Sequence, residues 1–100
     1  MISFLIVHYH RETYLNNLLF LLTPQLKKGD EIIVLDNGSD QSILSVPNNV
    51  LLIRSSSNKG VVDSRKRLIK ESKNEYICFL DDDCEVNSNF RYFLFQKILI

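Results

Sequence analysis

Three consecutive aspartates, Asp81, Asp82 and Asp83, follow directly on the apolar stretch Tyr76 to Leu80. Carboxylates packed at the end of a buried strand repel one another, and holding them ionised together is costly unless a cation or a network of donors faces them. Hard oxygen ligands suit Mg²⁺ or Mn²⁺, and such an ion keeps several waters and takes further ligands from a substrate's phosphates. Aspartate runs also occur in solvated turns, where they do no chemistry. Position argues for the site: in open α/β sheets, ligands bind just outside the carboxyl ends of the strands, where this triplet falls.

Two more polar turns follow apolar runs, His8-Tyr9-His10-Arg11 and Asp36-Asn37-Gly38-Ser39-Asp40. A fourth segment, Asn58-Lys59-Gly60, opens a helical pattern and offers backbone donors, the positive end of a helix dipole, and Arg65 about one and a half turns in. In a parallel sheet the strand ends share one edge, so all four segments converge on one crevice. Cation-binding, anion-binding and base-reading groups gathered there suit a nucleoside diphosphate. His8 and His10 form an H-x-H pair of the kind zinc uses, but no further ligand cluster lies near them in sequence. Cys84, just past the triplet, is a softer ligand than its acidic neighbours.

The elements that must position these groups read as follows. Ile2 to Tyr9 is a β-branched-rich apolar run, as expected of a strand buried on both faces of a parallel sheet. Leu15, Leu18, Leu19 and Leu22 form one helical stripe that stops near Pro24. Glu31 to Leu35 and Val50 to Ile53 are two more short strands, the first ending in turn-forming residues. A second helix runs from about Val61 to Ser72, with Val61, Val62, Leu68 and Ile69 available for the sheet and Lys66 and Arg67 on a solvated face. Tyr76 to Leu80 is the fourth strand. Phe90 to Ile100 reads as a third helix, on which Phe93, Leu94, Phe95, Ile98, Leu99 and Ile100 exceed what one face buries. That surplus implies a partner surface, either more of the same polypeptide or a second copy, hence a homo-oligomer through this helix. The order predicts an α/β, Rossmann-like parallel sheet of about four strands with helices on both faces.

Composition narrows the function. One hundred residues make a single small domain. Twelve basic and twelve acidic residues cancel, so nothing global argues for nucleic acid or an anionic membrane as partner. No apolar run of about 18 residues is present to span a bilayer. The opening MISFLIVHYH lacks a basic leader and a small-residue cleavage site, so it reads as a strand and not a signal peptide. With two cysteines, Cys78 and Cys84, a reduced cytosolic chain is the simpler expectation, with a peripheral membrane position left open.

The strings IVHYHRETYL, EIIVLDNGSD, NKGVVDSRKRLI and YICFLDDD, in this order and spacing across residues 1–100, resemble the nucleotide-sugar-binding half of the family 2 glycosyltransferases, which have the GT-A fold. Relative to a full-length member the chain would be incomplete. The resemblance implies that Tyr9 and the backbone around Val7 contact the base, that Asp36 and Asn37 hydrogen-bond uracil or its equivalent, and that Arg65 lies near base and phosphates. It implies Asp82 at the ribose and Asp83 as ligand of Mn²⁺ or Mg²⁺, with Asp81 the first carboxylate of the family's D-x-D. The donor would be a nucleoside diphosphate sugar, UDP-linked by preference, and the acceptor hydroxyl would sit on a glycan, a lipid-linked molecule or a protein. The chain departs from the family in reading Val7-His8-Tyr9-His10 where Pro-Thr-Tyr-Asn is common, Asn37 where a second aspartate is common, and Ser64-Arg65-Lys66 where Ala-Arg-Asn is usual.

In an inverting member of that family a carboxylate removes the acceptor's proton, and no residue here is assigned that task. Two functions from different classes therefore stand: the donor-binding portion of a glycosyltransferase, or a non-catalytic nucleotide-binding or association module built on the same fold. A phosphoacceptor receiver domain fits less well, because it needs a lysine at a later strand end that this chain lacks.

Overall fold

The computed structural model describes residues 1–39 and 45–99, with Ile98 and Leu99 described by backbone alone. Asp40, at the end of the predicted turn, lies outside the described residues, as do Ile100 and the side chains of Ile98 and Leu99. Four strands, β1 (Ile2–His8), β2 (Glu31–Asp36), β3 (Val50–Arg54) and β4 (Tyr76–Asp81), form one parallel sheet in the order β3-β2-β1-β4. Helices α1 (Glu12–Leu22), α2 (Gly60–Glu71) and α3 (Phe90–Leu99) complete the elements, with a 3₁₀ turn at Thr23–Gln25.

Strand alternation divides the apolar residues between two faces. Ile2, Phe4 and Ile6 of β1 and Ile32 and Val34 of β2 pack with Leu15, Leu18, Leu19 and Leu22 of α1. Each of those leucines, fully withdrawn from water, contributes about 2 kcal/mol. On the opposite face Leu5, Ile33 and Leu35 meet Leu68 of α2, with Val7, Ile53 and Phe79 beside them. The sheet is thus covered on both sides, and the predicted stripe on α1 is the one the core uses.

Three expectations need correction. First, β4 is not a buried strand: it lies at the edge of the sheet, and every one of its residues is at least partly exposed. Second, α2 does not present Val61, Val62 and Ile69 to the sheet, since all three are about half exposed or more and only Ser64 and Leu68 are buried. Ser64 turns its hydroxyl back onto Gly60 O at 2.8 Å, and so small a side chain lets the helix lie close to β1. Third, the apolar crowd on α3 is partly absorbed within the chain. Phe90, Leu94 and Phe95 pack against the α1 core, whereas Tyr92 and Phe93 face outward. Among the described residues no helix is long and apolar enough to cross a membrane.

Helix α3 is also tied by charge. Arg91 donates to Asp30 through Nε at 2.9 Å and Nη2 at 3.1 Å, a bidentate pair with both side chains almost entirely covered. Asp30 accepts in addition from the backbone N–H groups of Ile2 and Lys27, each at 2.8 Å. Burial by itself pushes the Asp30 carboxyl up, but the Arg91 hydrogen bonds, the two backbone donors and the guanidinium charge together outweigh it and hold the group below the ordinary carboxylate value. A carboxyl lowered on folding adds stability that is complete above its unfolded value and is lost as pH falls through the folded one. Urea unfolding followed by circular dichroism should therefore weaken from about pH 5 downward, and Asp30→Asn should flatten that acid limb. At neutral pH Arg91→Met, which strands Asp30, should cost about 3 kcal/mol or more. An acid limb of the same steepness in Asp30→Asn would show that other carboxylates carry it.

Candidate functional site

The strand order changes direction between β1 and β4, and a doubly wound sheet opens its crevice at that switch, beyond the carboxyl ends. Parallel register carries the polar turns there together: Val7 pairs with Leu35 on one side and Asp81 on the other, and His8 pairs with Asp36. A cavity of about 500 Å³ lies at this edge, within the range of small-molecule sites. Val7, Tyr9, Asn37, Arg65, Asp81, Asp82 and Asp83 all line it. A roomier cavity of about 630 Å³ opens between α1 and α3, but none of its lining residues is acidic or belongs to a strand end.

The three aspartates do not share one environment. Asp82 is 5% exposed. Its Oδ2 lies 3.1 Å from His8 Nδ1 and accepts the Tyr9 N–H at 3.3 Å, while its Oδ1 is 3.5 Å from Arg11 Nη1. Asp83 is half exposed and pairs with the same guanidinium at 3.0 Å. Asp81 is three-quarters exposed, with Arg65 only at 4.0 Å. Arg65 lies over the Phe79 ring, 5.1 Å from its centre, which steadies it against the β4 wall. Two cationic side chains, Arg11 and Arg65, thus face the triplet.

The β2 turn forms the other wall. Asn37 is buried: its N–H donates to His8 O at 2.8 Å, its Nδ2 to Asn58 Oδ1 at 3.0 Å, and its Oδ1 accepts the Lys59 N–H at 2.9 Å. Gly60 N–H donates to Asn58 Oδ1 at 2.8 Å. Two backbone donors expected for a ligand at Asn58-Lys59-Gly60 are therefore already used inside the fold, because Lys59 gives α2 no side-chain cap and the asparagines take its place. Gly38 must be glycine here: its φ is +86°, and a Cβ would come within 2.5 Å of the Ser57 backbone.

Asp36 is placed differently from the other predicted residues. It is buried behind the wall, where it accepts from Arg54 Nη1 at 3.1 Å and Ser39 N–H at 3.2 Å, and it does not line the cavity. It holds the turn that presents Asn37. Tyr9 is 43% exposed and meets the His10 ring edge-on at 4.2 Å. His10, at φ +55°, gives its N–H to Ser39 Oγ at 3.0 Å. His8 is fully buried whereas His10 is exposed, so the H-x-H residues part company. Cys84 packs against the α1 core cluster.

Among the described residues no three His, Cys, Asp or Glu side chains converge as a ready-made metal cage. Sequence reasoning gave no role to Arg11 or to His8 as a partner of Asp82. Both contacts join residues more than 70 positions apart, at separations of 71 and 74, and only the sheet register brings them together.

Comparison with known proteins agrees with this architecture. Two relatives from Haemophilus influenzae (strain ATCC 51907 / DSM 11121 / KW20 / Rd), each described as an uncharacterized glycosyltransferase, are 33% and 28% identical to the chain. The alignments cover 83% of this chain in both cases, but only 29% and 36% of the relatives, so the chain spans about a third of their length. The crystal structure of S. aureus TarS 1-349 superposes with a TM-score of 0.84 at 23% identity, covering 97% of this chain and 32% of that one. A second crystal structure of S. aureus TarS gives 0.83 at 24%, covering 97% and 19%. These likenesses show the fold. The model for the glycosyl transferase family 2 matches from residue 3 to residue 98, and the chain belongs to that family.

Proposed function

We propose that this chain is the donor-binding portion of a family 2 glycosyltransferase, holding a nucleoside diphosphate sugar, UDP-linked by preference, for transfer of the sugar to an acceptor hydroxyl. The observation that carries the reading is the cavity at the switch point, where acidic, cationic and aromatic groups from four segments meet. Tyr9 and Val7 offer the base an aromatic and an apolar surface, Asn37 presents a wall polar to its edge with Asp36 fixing the turn behind, and Asp82 faces the ribose. Arg65 stands where the phosphates would lie. The acceptor and the base that deprotonates it are not assigned to any residue here.

The donor set fits a divalent ion that arrives with its substrate. Asp81 and Asp83 are exposed carboxylates at the cavity rim, each restrained by one exposed arginine. Mg²⁺ and Mn²⁺ sites that use one or two carboxylates and complete their shell with water and phosphate need no more than this. Bound there, the ion would neutralise charge on the departing nucleoside diphosphate. The chain's own part is to orient the diphosphate with Arg65 and to hold Asp82 in place.

Calorimetric titration with UDP and with GDP checks the reading. One of them should bind in the presence of Mn²⁺, and chelation should weaken it by about tenfold or more. Asp83→Ala should reproduce the chelator's effect. If neither nucleotide binds at millimolar concentration with Mn²⁺, the donor-site reading is wrong.

One contact favours a second reading, a nucleotide-binding module that uses no metal: Arg11 already sits 3.0 Å from Asp83 and 3.5 Å from Asp82. Arg11→Ala separates the two. An exposed ion pair is worth about 0–1 kcal/mol, so if Asp83 is a metal ligand, releasing it should tighten Mn²⁺ binding about two- to fivefold. If Arg11 stands in for the metal, the same substitution should weaken nucleotide binding and leave it indifferent to chelator.

A further inference from the structure

The last residue of β1 has no task in the donor site as described, yet it is a titratable group wholly withdrawn from solvent. His8 is 0% exposed. Its carbonyl accepts the Asn37 N–H at 2.8 Å and its Nδ1 lies 3.1 Å from Asp82 Oδ2, so one residue ties the β2 wall to the β4 wall. In the tautomer with its proton on Nδ1 the ring donates to Asp82 Oδ2. The ring's other nitrogen, Nε2, faces Glu12 Oε1 at 3.8 Å, and among the described residues neither of these two buried atoms has a hydrogen-bond partner. At 3.8 Å that contact is beyond hydrogen-bonding distance, so the ring's fixed polar contact is the one with Asp82.

We infer that His8 is a positioning residue that fixes the carboxylate of Asp82 for the ribose. A carboxylate withdrawn from water must be met by donors, and those of Asp82 differ in quality. The Tyr9 N–H at 3.3 Å is longer than the His8 contact, and Arg11 at 3.5 Å is half exposed and shared with Asp83. His8 supplies the short contact to Asp82 from a side chain that cannot move away. Without it Asp82 is free to swing toward Arg11, and its oxygens no longer stand where the sugar hydroxyls would meet them. Outer groups that orient a working carboxylate or imidazole commonly matter about as much as the group itself, with losses of roughly 10- to 100-fold.

The inference rests on the donor-site reading, and the test keeps the two apart. The carboxamide nitrogen of Asn reaches about where Nδ1 of His does, so His8→Asn keeps a donor for Asp82 and His8→Val removes it. With Mn²⁺ present, wild type, H8N and H8V are titrated with whichever of UDP and GDP wild type binds, and with its 2′,3′-dideoxy form. Wild type should prefer the intact ribose about tenfold or more, H8N should keep most of that preference, and H8V should bring it to about twofold or less. Thermal unfolding run beside these titrations reports whether each variant folds. Nitrogen-15 spectra of the nucleotide-free protein should show a slowly exchanging His8 Nδ1–H that is lost in Asp82→Ala. An undiminished ribose preference in folded H8V, a loss in H8N as deep as in H8V, or a His8 ring protonated only at Nε2 overturns the positioning role while donor binding stands. Failure of wild type to bind either nucleotide removes the donor site and the positioning role with it.

Discussion

The parallel register of β1 between its two neighbours is the constraint on which the rest of the molecule depends. Val7 is level with both Leu35 and Asp81, and His8 is level with Asp36, so three chain segments leave the sheet at one height. A slip of one residue in either pairing would turn every side chain of the slipped strand to the other face. Phe4 and Ile6 would then exchange places with Leu5 and Val7, and both apolar clusters would be broken. The apolar alternation that stabilises the sheet therefore also sets where Asp36, Asn37 and the aspartate triplet emerge. Because the order is β3-β2-β1-β4, the gap beyond β1 and β4 is the place where the winding changes direction. Arg11 reaches the triplet across that gap.

Burial then sorts the polar groups that the register has gathered. His8, Asp36, Asn37 and Asp82 are 5% exposed or less, and they are joined to one another or to neighbouring turns by hydrogen bonds. Removing one partner from such a set leaves a buried group unsatisfied, which costs about 1–3 kcal/mol or more. Arg11, Arg65, Asp81 and Asp83 are about half exposed or more, in pairs worth about 0–1 kcal/mol. Magnitudes decide the division of labour: the inner set is too costly to rearrange and acts as scaffold, whereas the outer set exchanges partners cheaply and is free to turn toward a ligand. Three adjacent aspartates thus belong to two classes, with Asp82 in the first and Asp81 and Asp83 in the second.

The sheet was legible because its strands are short apolar runs bounded by turn residues: β1 stops one residue short of the predicted Tyr9, and the other three run one residue further. Leu15, Leu18, Leu19 and Leu22 were legible for the same reason, since the period of the stripe is the helix's own. Helix α2 was misread because hydrophobicity was taken as the sign of the buried face. Here the face is chosen by the small Ser64, which admits close approach, and Val61 and Val62 stay outside. The edge position of β4 has no local signal, since Tyr76 to Leu80 is as apolar as a central strand. The site's residue types were legible and most of its pairings were not. Nothing near Arg11 or His8 in sequence announces a carboxylate 71 or 74 positions away, and nothing near Asp36 announces that Arg54 holds it behind the wall.

The molecule places a covered, bidentate charge pair at the opposite end of the strands from this edge. Asp30 precedes β2 and accepts the Ile2 N–H, so with Arg91 it sits at the amino-terminal end of the strands and fastens α3 there. The two ends of the sheet are thereby given different electrostatic duties. At one end a covered, bidentate, multiply donated carboxylate secures a helix, and its exposure would be felt as loss of fold. At the other end a denser collection of charge is kept half in water, where repulsion among carboxylates is screened and tolerable. A small domain has little stability to spare, and grouping three aspartates in one turn draws on it. Anchoring α3 at the opposite end lets the acidic edge change its partners, protein arginine for ligand or cation, without loosening the core that fixes its geometry.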